Sequence, residues 1–261
     1  MGKQVEWRIR ILDPEQQQDR NDMSILSQRP FDIGANFKRL LPAQPCLLCG
    51  ANSHDGICCT ACDAELPRLT AEHCPVCALP TLAGSLCGEC LRQPPPFDHT
   101  AAAFSYNFPL DKLVQALKFR DQLVLVDFLA DALAERVTTH PDRLLALPLH
   151  ATRLRERGFN QSLLLARRLS RRLGIPLLPD ACERVRNTPP QSSLPWKERD
   201  KNMRQAFVCK PDADIRGKHV AIVDDVMTTG ASIGELARAL KQAGASEVSA
   251  WVIARTLPHD R

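Results

Sequence analysis

The amino-acid sequence predicts an α/β protein in which helices cover both faces of a parallel sheet, preceded by a small metal-binding domain. Beyond residue 100, short apolar runs alternate with segments of helical periodicity. Strands that are apolar throughout and separated by helices are typical of a parallel sheet that is buried on both faces. Between residues 46 and 90, nine of the eleven cysteines are crowded together, which predicts a separate metal-stabilised region.

Length and composition limit the classes of protein that fit. The chain has 261 residues, of which 44% are hydrophobic and 25% are charged, as in ordinary globular proteins. No apolar run approaches the roughly 20 residues that cross a bilayer, and the start lacks the apolar core of a secretory signal. We therefore expect a cytoplasmic protein without membrane insertion.

The cysteines form a repeat. Two CxxC pairs separated by nine residues recur with the same spacing 28 residues further along the chain. The first set is Cys46, Cys49, Cys59 and Cys62, and the second is Cys74, Cys77, Cys87 and Cys90. This spacing indicates a tandem duplication of one small unit.

Each unit has the pattern of a zinc ribbon. A CxxC pair directs two thiolates at one ion, and two such pairs complete the tetrahedral sulfur shell that suits zinc. Units this short bury little apolar surface, so two structural zinc ions would supply much of their folding free energy. An interleaved pairing of the CxxC pairs is an alternative, and Cys58 could take the place of Cys59.

The remaining chain divides by composition. Residues 1–41 are predicted to be a disordered or loosely ordered lead, within which Met23 is an alternative start to Met1. The double zinc ribbon is predicted at 42–92, a proline-rich linker at 93–99, and the α/β domain at 100–261. Predicted strands lie at 101–106, 144–147, 218–223 and 247–254, and predicted helices lie at 110–119, 122–137, 159–173 and 233–243.

Two adjacent acids, Asp224 and Asp225, directly follow the apolar run at 218–223. In a parallel sheet, ligands bind beyond the carboxyl ends of the strands, where these acids are expected. Carboxylates there can accept hydrogen bonds from sugar hydroxyls or help to hold Mg²⁺. Alternatively, the acids only cap and solvate a turn.

The residues after the acids favour an anion. A glycine-containing loop with three hydroxyls precedes a predicted helix, whose N-terminal N–H groups and dipole attract phosphate. The loop consists of Thr228, Thr229, Gly230, Ala231 and Ser232. Acids for sugar hydroxyls followed by a phosphate loop predict a ribose 5-phosphate site, although Ser232 could be a routine helix cap.

Positive charge is concentrated between residues 143 and 172. This segment has eight arginines and a single acid, Glu156. Such a concentration points to phosphates as binding partners. For the arginines at 167–172, a solvated helix face is the alternative.

At VAIVDDVMTTGAS (220–232) the sequence resembles the type I phosphoribosyltransferases. The resemblance implies that Asp224 and Asp225 bind the ribose hydroxyls of PRPP (5-phosphoribosyl 1-pyrophosphate) with Mg²⁺, and that 228–232 holds its 5-phosphate. Together with the cysteine repeat, PLHATRLRERGFNQS (148–162) and RNTPPQSSLPWKERDKNMRQAF (186–207) resemble the ComF family of bacterial DNA-uptake and DNA-utilisation proteins.

The resemblance also implies roles for two further segments. Residues 148–157 would form the pyrophosphate loop, and 187–203 a flexible hood over the site. The loop would contribute Pro148, Leu149, His150, Arg153 and Arg157. Independently of the resemblance, Arg153, Arg157, Lys197 and Arg199 are candidates to neutralise charge that develops on pyrophosphate, because their side chains are cationic. Asn160 and Gln161 would order the loop or touch the substrate, or else cap the helix that follows.

The sequence is compatible with three functions. The first is a ComF-type protein that binds PRPP or a phosphoribosyl group while handling imported single-stranded DNA, with DNA-uptake or helicase proteins as partners. The second is an active phosphoribosyltransferase of nucleotide metabolism. Purine salvage is disfavoured, because purine-salvage relatives commonly have an acid where this chain has Thr228. The third is a non-catalytic zinc-ribbon interaction module.

Overall fold

The computed structural model describes residues 44–257, except 54–55, 71, 121 and 188–204. The predicted lead at 1–41 and nearly all of the predicted hood lie outside the described residues. The chain divides into two compact units, Met1–Glu65 and Leu66–Arg261. Within the described part of the chain, none of the helices combines the length and apolarity needed to span a bilayer.

The first unit contains the first cysteine repeat. An isolated bridge pairs Pro45 with Asn52 around the first CxxC turn. The turn ends at Gly50, whose φ of +74° lies in the left-handed region that favours glycine. Helix α1 (Thr60–Ala64) follows the second CxxC pair's first cysteine, Cys59, which is its N-cap residue.

The second repeat lies in the second unit. It begins with a bridge between His73 and Pro80, continues through a short 3-10 turn at Leu82–Gly84, and ends in α2 (Gly88–Arg92). The proline-rich segment that follows packs on the sheet domain, because Phe97 is buried and Pro96 lies close to Gly234.

A parallel sheet and its helices make up the rest of this unit. The sheet has the strand order β1-β6-β5-β2 among the described residues, and every neighbouring pair is parallel. Its strands are β1 (His99–Ser105), β2 (Arg143–Ala146), β5 (His219–Met227) and β6 (Glu247–Arg255). A separate antiparallel pair joins β3 (Cys182–Arg184) to β4 (Phe207–Cys209). The helices are α3 (Leu110–Phe119), α4 (Leu125–Ala134), α5 (Ala151–Arg157), α6 (Gln161–Leu173) and α7 (Ala231–Gln242).

Both faces of the sheet are buried, as the apolar strands predict. Every residue of β6 after Glu247 is buried, and so is nearly all of β5. Val220, Ile222 and Val252 share one apolar cluster with the α7 side chains Ile233 and Leu236. Successive residues of a strand point to opposite faces, so burial along the whole strand requires cover on both. The predicted helix-covered parallel sheet is confirmed.

Candidate functional site

A cleft opens where β2 leaves the sheet. The last paired residue of β2, Ala146, lies opposite Val223, and Leu147 N–H donates to the Val223 carbonyl over 2.9 Å. β5 continues for four more residues while it stays paired with β6. Asp224 and Asp225 therefore lie inside the strand and not after it, at the edge that β2 has vacated.

Asp224 is buried and held by a hydroxyl. Ser162 Oγ, in the first turn of α6, donates to Asp224 Oδ1 over 2.8 Å. Burial and the adjacent negative charge of Asp225 raise the pKa of Asp224 to about 7, although Ser162 and Lys118 both act to lower it. A carboxyl with this pKa exchanges a proton near neutrality and gains from any cation that enters the cleft.

Asp225 is paired with a lysine that the sequence patterns did not single out. Lys118 Nζ, on α3, lies 3.0 Å from Asp225 Oδ1. Burial lowers the pKa of Lys118, but attraction to Asp225 outweighs it and the pKa is raised overall. Asp225 Oδ2 has no hydrogen-bond partner within the described residues. Lys118 follows the buried Val114 by four positions, a spacing that could have indicated a lysine beside the apolar face of α3.

The predicted phosphate loop joins β5 to α7. Gly230 is the N-cap residue of α7 and has a φ of +84°. A Cβ at this position would lie 3.1 Å from Met227 Cε, so close packing and backbone conformation both favour glycine. Thr229 Oγ1 accepts from Ala231 N–H over 3.1 Å. The first N–H groups of a helix lack intrahelical acceptors and can bind an anion there.

Three arginines extend into the cleft from the other side. Arg153 and Arg157 lie on α5, which replaces most of the loop expected at 148–157, and Arg184 lies on β3. Burial, together with the positive charge of Arg153, lowers the pKa of both Arg157 and Arg184. Arg153 thus repels both Arg157 and Arg184, and an anion bound among the three guanidinium groups would relieve that repulsion. Gln161 orients Arg157, whose Nη1 donates to Gln161 Oε1 over 2.6 Å.

The residues that the structure describes around the cleft line a cavity of about 160 Å³. It brings together ten of the predicted site residues and adds Lys118 and Arg184. The ten are Leu149, Arg153, Arg157, Gln161, Asp224, Asp225, Thr228, Gly230, Ala231 and Ser232. A larger cavity, of about 950 Å³, shares Gly230 and Ala231 with the smaller one but is lined by neither Asp224 nor Asp225. The smaller cavity is the candidate site, because the charged groups converge there.

Four predicted residues lie outside the lining of this cavity, and two cannot be placed. His150 caps α5 by accepting from Thr152 N–H over 3.3 Å, and Pro148 precedes it. Asn160 caps α6 and donates to the Leu147 carbonyl over 3.1 Å, so it ties α6 to the end of β2. Thr229 lines the larger cavity. Lys197 and Arg199 lie outside the described residues.

The arginine-rich face of α6 is partly neutralised. Arg168 pairs with Asp127 and Asp131 of α4, and Arg172 also pairs with Asp131. Arg167 and Arg171 are exposed. The alternative of a solvated helix face therefore accounts for part of this charge.

The cysteines form two tetrads, each within one repeat. In each tetrad the four sulfur atoms lie within 4.8 Å of one another. Cys49 Sγ is 3.7 Å from Cys59 Sγ, and Cys77 Sγ is 3.5 Å from Cys87 Sγ. Zn–S bonds of about 2.3 Å at tetrahedral angles place sulfurs about 3.8 Å apart, so the sites fit zinc. The interleaved alternative does not match this grouping, and Cys59, not Cys58, belongs to the first tetrad.

Equivalent positions of the two repeats carry equivalent thiols. Burial raises the pKa of Cys46, but hydrogen bonds from backbone N–H groups together lower it by more, so that the net pKa is about 6. The same balance lowers the pKa of Cys74 to about 7. Burial instead raises the pKa of Cys58, outside the tetrads, to about 12. The knuckle N–H groups therefore favour thiolate at the first position of each tetrad, and thiolate is the metal-binding form.

The two remaining cysteines behave differently from the sequence expectation. Their separation in sequence suggested two isolated, buried small hydrophobic residues. In the structure, Cys182 and Cys209 are directly opposite each other in the β3–β4 pair and are joined by a disulfide. The expectation was wrong because the antiparallel pairing of β3 and β4 has no signal in the cysteine spacing.

Comparison with known families agrees with this architecture. A model of the phosphoribosyl transferase domain family matches residues 160–259, and a double zinc ribbon domain model matches residues 37–91. Fold and matches together define a protein with a phosphoribosyltransferase-type domain and a double zinc ribbon that holds structural zinc.

Full-length relatives narrow the class to a family. The DNA utilization protein YhgH of Salmonella typhimurium is 38% identical over 224 residues, which cover 81% of this chain and 97% of that protein. Competence protein F of Haemophilus influenzae is 33% identical over 236 residues, covering 80% and 96%. The chain belongs to the ComF family. The solved structure of a purine phosphoribosyltransferase from Pyrococcus horikoshii is 24% identical, and the match covers 52% of this chain and 89% of that one with a TM-score of 0.32.

Proposed function

We propose that the cleft at the end of β5 binds PRPP, or another ligand with a phosphoribosyl group, together with Mg²⁺. One observation carries the proposal: a single cavity combines two buried carboxylates, a helix-capping phosphate loop and three arginines, one of which repels the other two. PRPP has hydroxyls between a 5-phosphate and a pyrophosphate, so each group in the cavity has a counterpart in the ligand.

The phosphate loop would hold the 5-phosphate. Backbone N–H groups at the start of α7 and the Thr228 and Ser232 hydroxyls are suitable donors for its oxygens. Arg153, Arg157 and Arg184 would hold the pyrophosphate, because guanidinium groups donate in pairs to phosphate oxygens.

The carboxylates would hold the ribose hydroxyls and help to hold Mg²⁺. Asp225 Oδ2, buried and without a hydrogen-bond partner in the described residues, is the atom whose environment improves most when a hydroxyl or cation arrives. Mg²⁺ prefers carboxylate, phosphate and water oxygens and would supply charge neutralisation between the acids and the pyrophosphate.

The cavity supports binding more directly than transfer to a nucleobase. Asp224 and Asp225 are the only acids among the described residues that line it, and no histidine does. In the proposed complex both acids are engaged with the ribose hydroxyls and Mg²⁺, so the described lining offers no further carboxylate or imidazole to take a proton from an acceptor. We propose a phosphoribosyl-binding role in the handling of imported DNA, a context carried over from the names of the relatives.

Single-stranded DNA is the proposed macromolecular partner. Arg167 and Arg171 are exposed on α6 and could contact DNA phosphates without reading sequence. Such contacts would weaken as salt concentration rises, because bound counterions are released on binding.

Calorimetric titration with PRPP and Mg²⁺ tests the proposal. We expect the wild-type protein to bind and the Asp224→Asn/Asp225→Asn variant to lose the binding, while the exposed Asp212→Asn control keeps it. A change in PRPP affinity when single-stranded DNA is present would link the cleft to DNA handling. Absence of binding to the wild-type protein would overturn the proposal.

A further inference from the structure

Arg255 joins the second cysteine knuckle to the start of the phosphate loop. This side chain, at the end of β6, is only 2% exposed. Its Nε donates to the Cys77 carbonyl over 2.7 Å, and its Nη1 donates to the Met227 carbonyl over 3.0 Å and also to the Thr228 carbonyl. Because the guanidinium is planar and rigid, these N–H groups fix the carbonyls relative to one another.

The knuckle between Cys74 and Cys77 is bound to the sheet at three successive carbonyls. Thr100 N–H donates to the Pro75 carbonyl over 3.0 Å, and Thr100 Oγ1 donates to the Val76 carbonyl over 2.5 Å. Arg255 takes the third, that of Cys77. Both donor residues are buried, so the knuckle is built into the sheet domain.

Apolar packing also connects the second cysteine knuckle to the phosphate loop. Cys74 and Cys77 belong to one core cluster with Met227 and Ile233, which flank the phosphate loop. A displaced knuckle would therefore disturb both the hydrogen bonds and the packing beneath the loop. Cores are close-packed, so such a shift is not absorbed locally.

We propose that zinc binding by the second tetrad shapes the phosphate loop, and that Arg255 is the positioning residue that couples the two. The proposal rests on the proposed function of the loop as a 5-phosphate site. The ribbon's order depends on its metal, because so short a unit has little core of its own. Without an ordered Cys77 carbonyl, a buried donor of Arg255 loses its partner, and the guanidinium would rearrange together with the Met227 and Thr228 carbonyls.

The duplicated repeat supplies a matched control. The first tetrad lies in the other compact unit, so equivalent changes there remove one zinc without touching the contacts of Arg255. Cys74→Ser/Cys90→Ser and Cys46→Ser/Cys62→Ser alter corresponding positions of the two repeats.

The first experiment compares these variants in the full-length chain. We expect each to lose one zinc, whereas only the second-tetrad variant loses about 10-fold or more in PRPP affinity, which corresponds to one charged hydrogen bond. Faster amide hydrogen exchange at 225–234 is expected in that variant alone. Equal effects of both variants, or no effect of either, would overturn the proposal.

A second experiment uses the wild-type protein, in case the cysteine variants fail to fold. Coupling between two sites is reciprocal, so PRPP with Mg²⁺ should raise the affinity for one zinc of the two, measured at equilibrium by competition with a chromogenic chelator. In Arg255→Gln this increase should disappear, and Arg255→Lys should restore it only in part. PRPP that binds but changes the affinity for neither zinc, or for both equally, would overturn the coupling.

The two proposals fail in distinguishable ways. If the wild-type protein does not bind PRPP, the proposed function is wrong, and amide exchange at 225–234 still measures the effect of the second zinc on the loop. If PRPP binds but neither amide exchange at 225–234 nor PRPP affinity changes when the second tetrad is altered, only the coupling is wrong.

Discussion

Lys118 Nζ lies 3.0 Å from Asp225 Oδ1 in the cleft, so a buried cation of α3 already faces one of the two adjacent carboxylates. This pair explains how Asp224 and Asp225 coexist in one buried strand. The lysine offsets part of the like-charge repulsion that raises the pKa of Asp224. It leaves Asp225 Oδ2 buried without a hydrogen-bond partner among the described residues, and Asp225 lines the cavity proposed for the ligand.

Lys118→Met should destabilise the protein in a pH-dependent manner. Removing one partner of a buried ion pair typically costs about 3–5 kcal/mol, because the other charge is left uncompensated. The loss should be larger at pH 8 than at pH 5.5, where Asp224, whose pKa burial and Asp225 raise to about 7, can take up a proton. Denaturant unfolding at the two pH values measures it. Lys112→Met, on the same helix but more exposed, is the control, and equal losses from both substitutions at pH 8 would exclude the role of the pair.

The stability of the ligand-free protein should fall as pH rises through about 7. The unfolded carboxyl has a pKa of about 3.9, whereas burial and Asp225 raise the pKa of Asp224 to about 7. The folded state therefore holds a proton that the unfolded state has released, and this contribution is complete below about pH 4 and disappears above 7. The difference in unfolding free energy between wild type and Asp224→Asn, measured from pH 5 to pH 8, isolates it.

Ligand binding should have the opposite pH dependence. Mg²⁺ and PRPP need the ionised pair, so PRPP affinity should rise as pH increases through about 7. If wild type and Asp224→Asn differ by the same amount at every pH, both in unfolding free energy and in PRPP affinity, the raised pKa of Asp224 would be contradicted.

Gly230→Ala should weaken ligand binding by about 10-fold or more. Alanine pays about 1–2 kcal/mol in the left-handed conformation, and its Cβ would press on Met227 at 3.1 Å, which shifts the loop. Gly217→Ala is the control, because Gly217 has a φ of +70° with nothing within 4 Å of the added Cβ. Both variants should lose stability in thermal unfolding, but only Gly230→Ala should lose PRPP affinity. A normal affinity in Gly230→Ala would contradict the role of the loop.

The zinc content should be two ions per chain. Elemental analysis of Cys59→Ser is expected to give one, because Cys59 belongs to the first tetrad, whereas Cys58→Ser should keep both. The reverse result would place Cys58 in the metal shell.

The sequence predicted those features that depend on local patterns. The spacing of the cysteines, the continuous apolar strands and the loop after Asp225 are each contained within a few tens of residues. The missed residues depend on tertiary packing: Lys118 reaches the cleft because of how α3 docks, and Arg184 because β3 pairs with β4. His150 was expected in the pyrophosphate loop, but its ring caps α5, a role that the helix at 151–157 makes possible.

The most direct test measures separately the binding of the two parts of PRPP, the ribose 5-phosphate and the pyrophosphate. Ribose 5-phosphate and magnesium pyrophosphate are titrated separately, by calorimetry, into wild type, Gly230→Ala, Arg157→Gln and the matched control Arg155→Gln, which is on the same helix but outside the cleft lining. We expect Gly230→Ala to weaken ribose 5-phosphate and Arg157→Gln to weaken pyrophosphate, each by about 10-fold or more, with Arg155→Gln unchanged. Equal effects of Gly230→Ala and Arg157→Gln on both ligands, or of Arg155→Gln and Arg157→Gln on pyrophosphate, would contradict a cleft with separate sites for the 5-phosphate and the pyrophosphate.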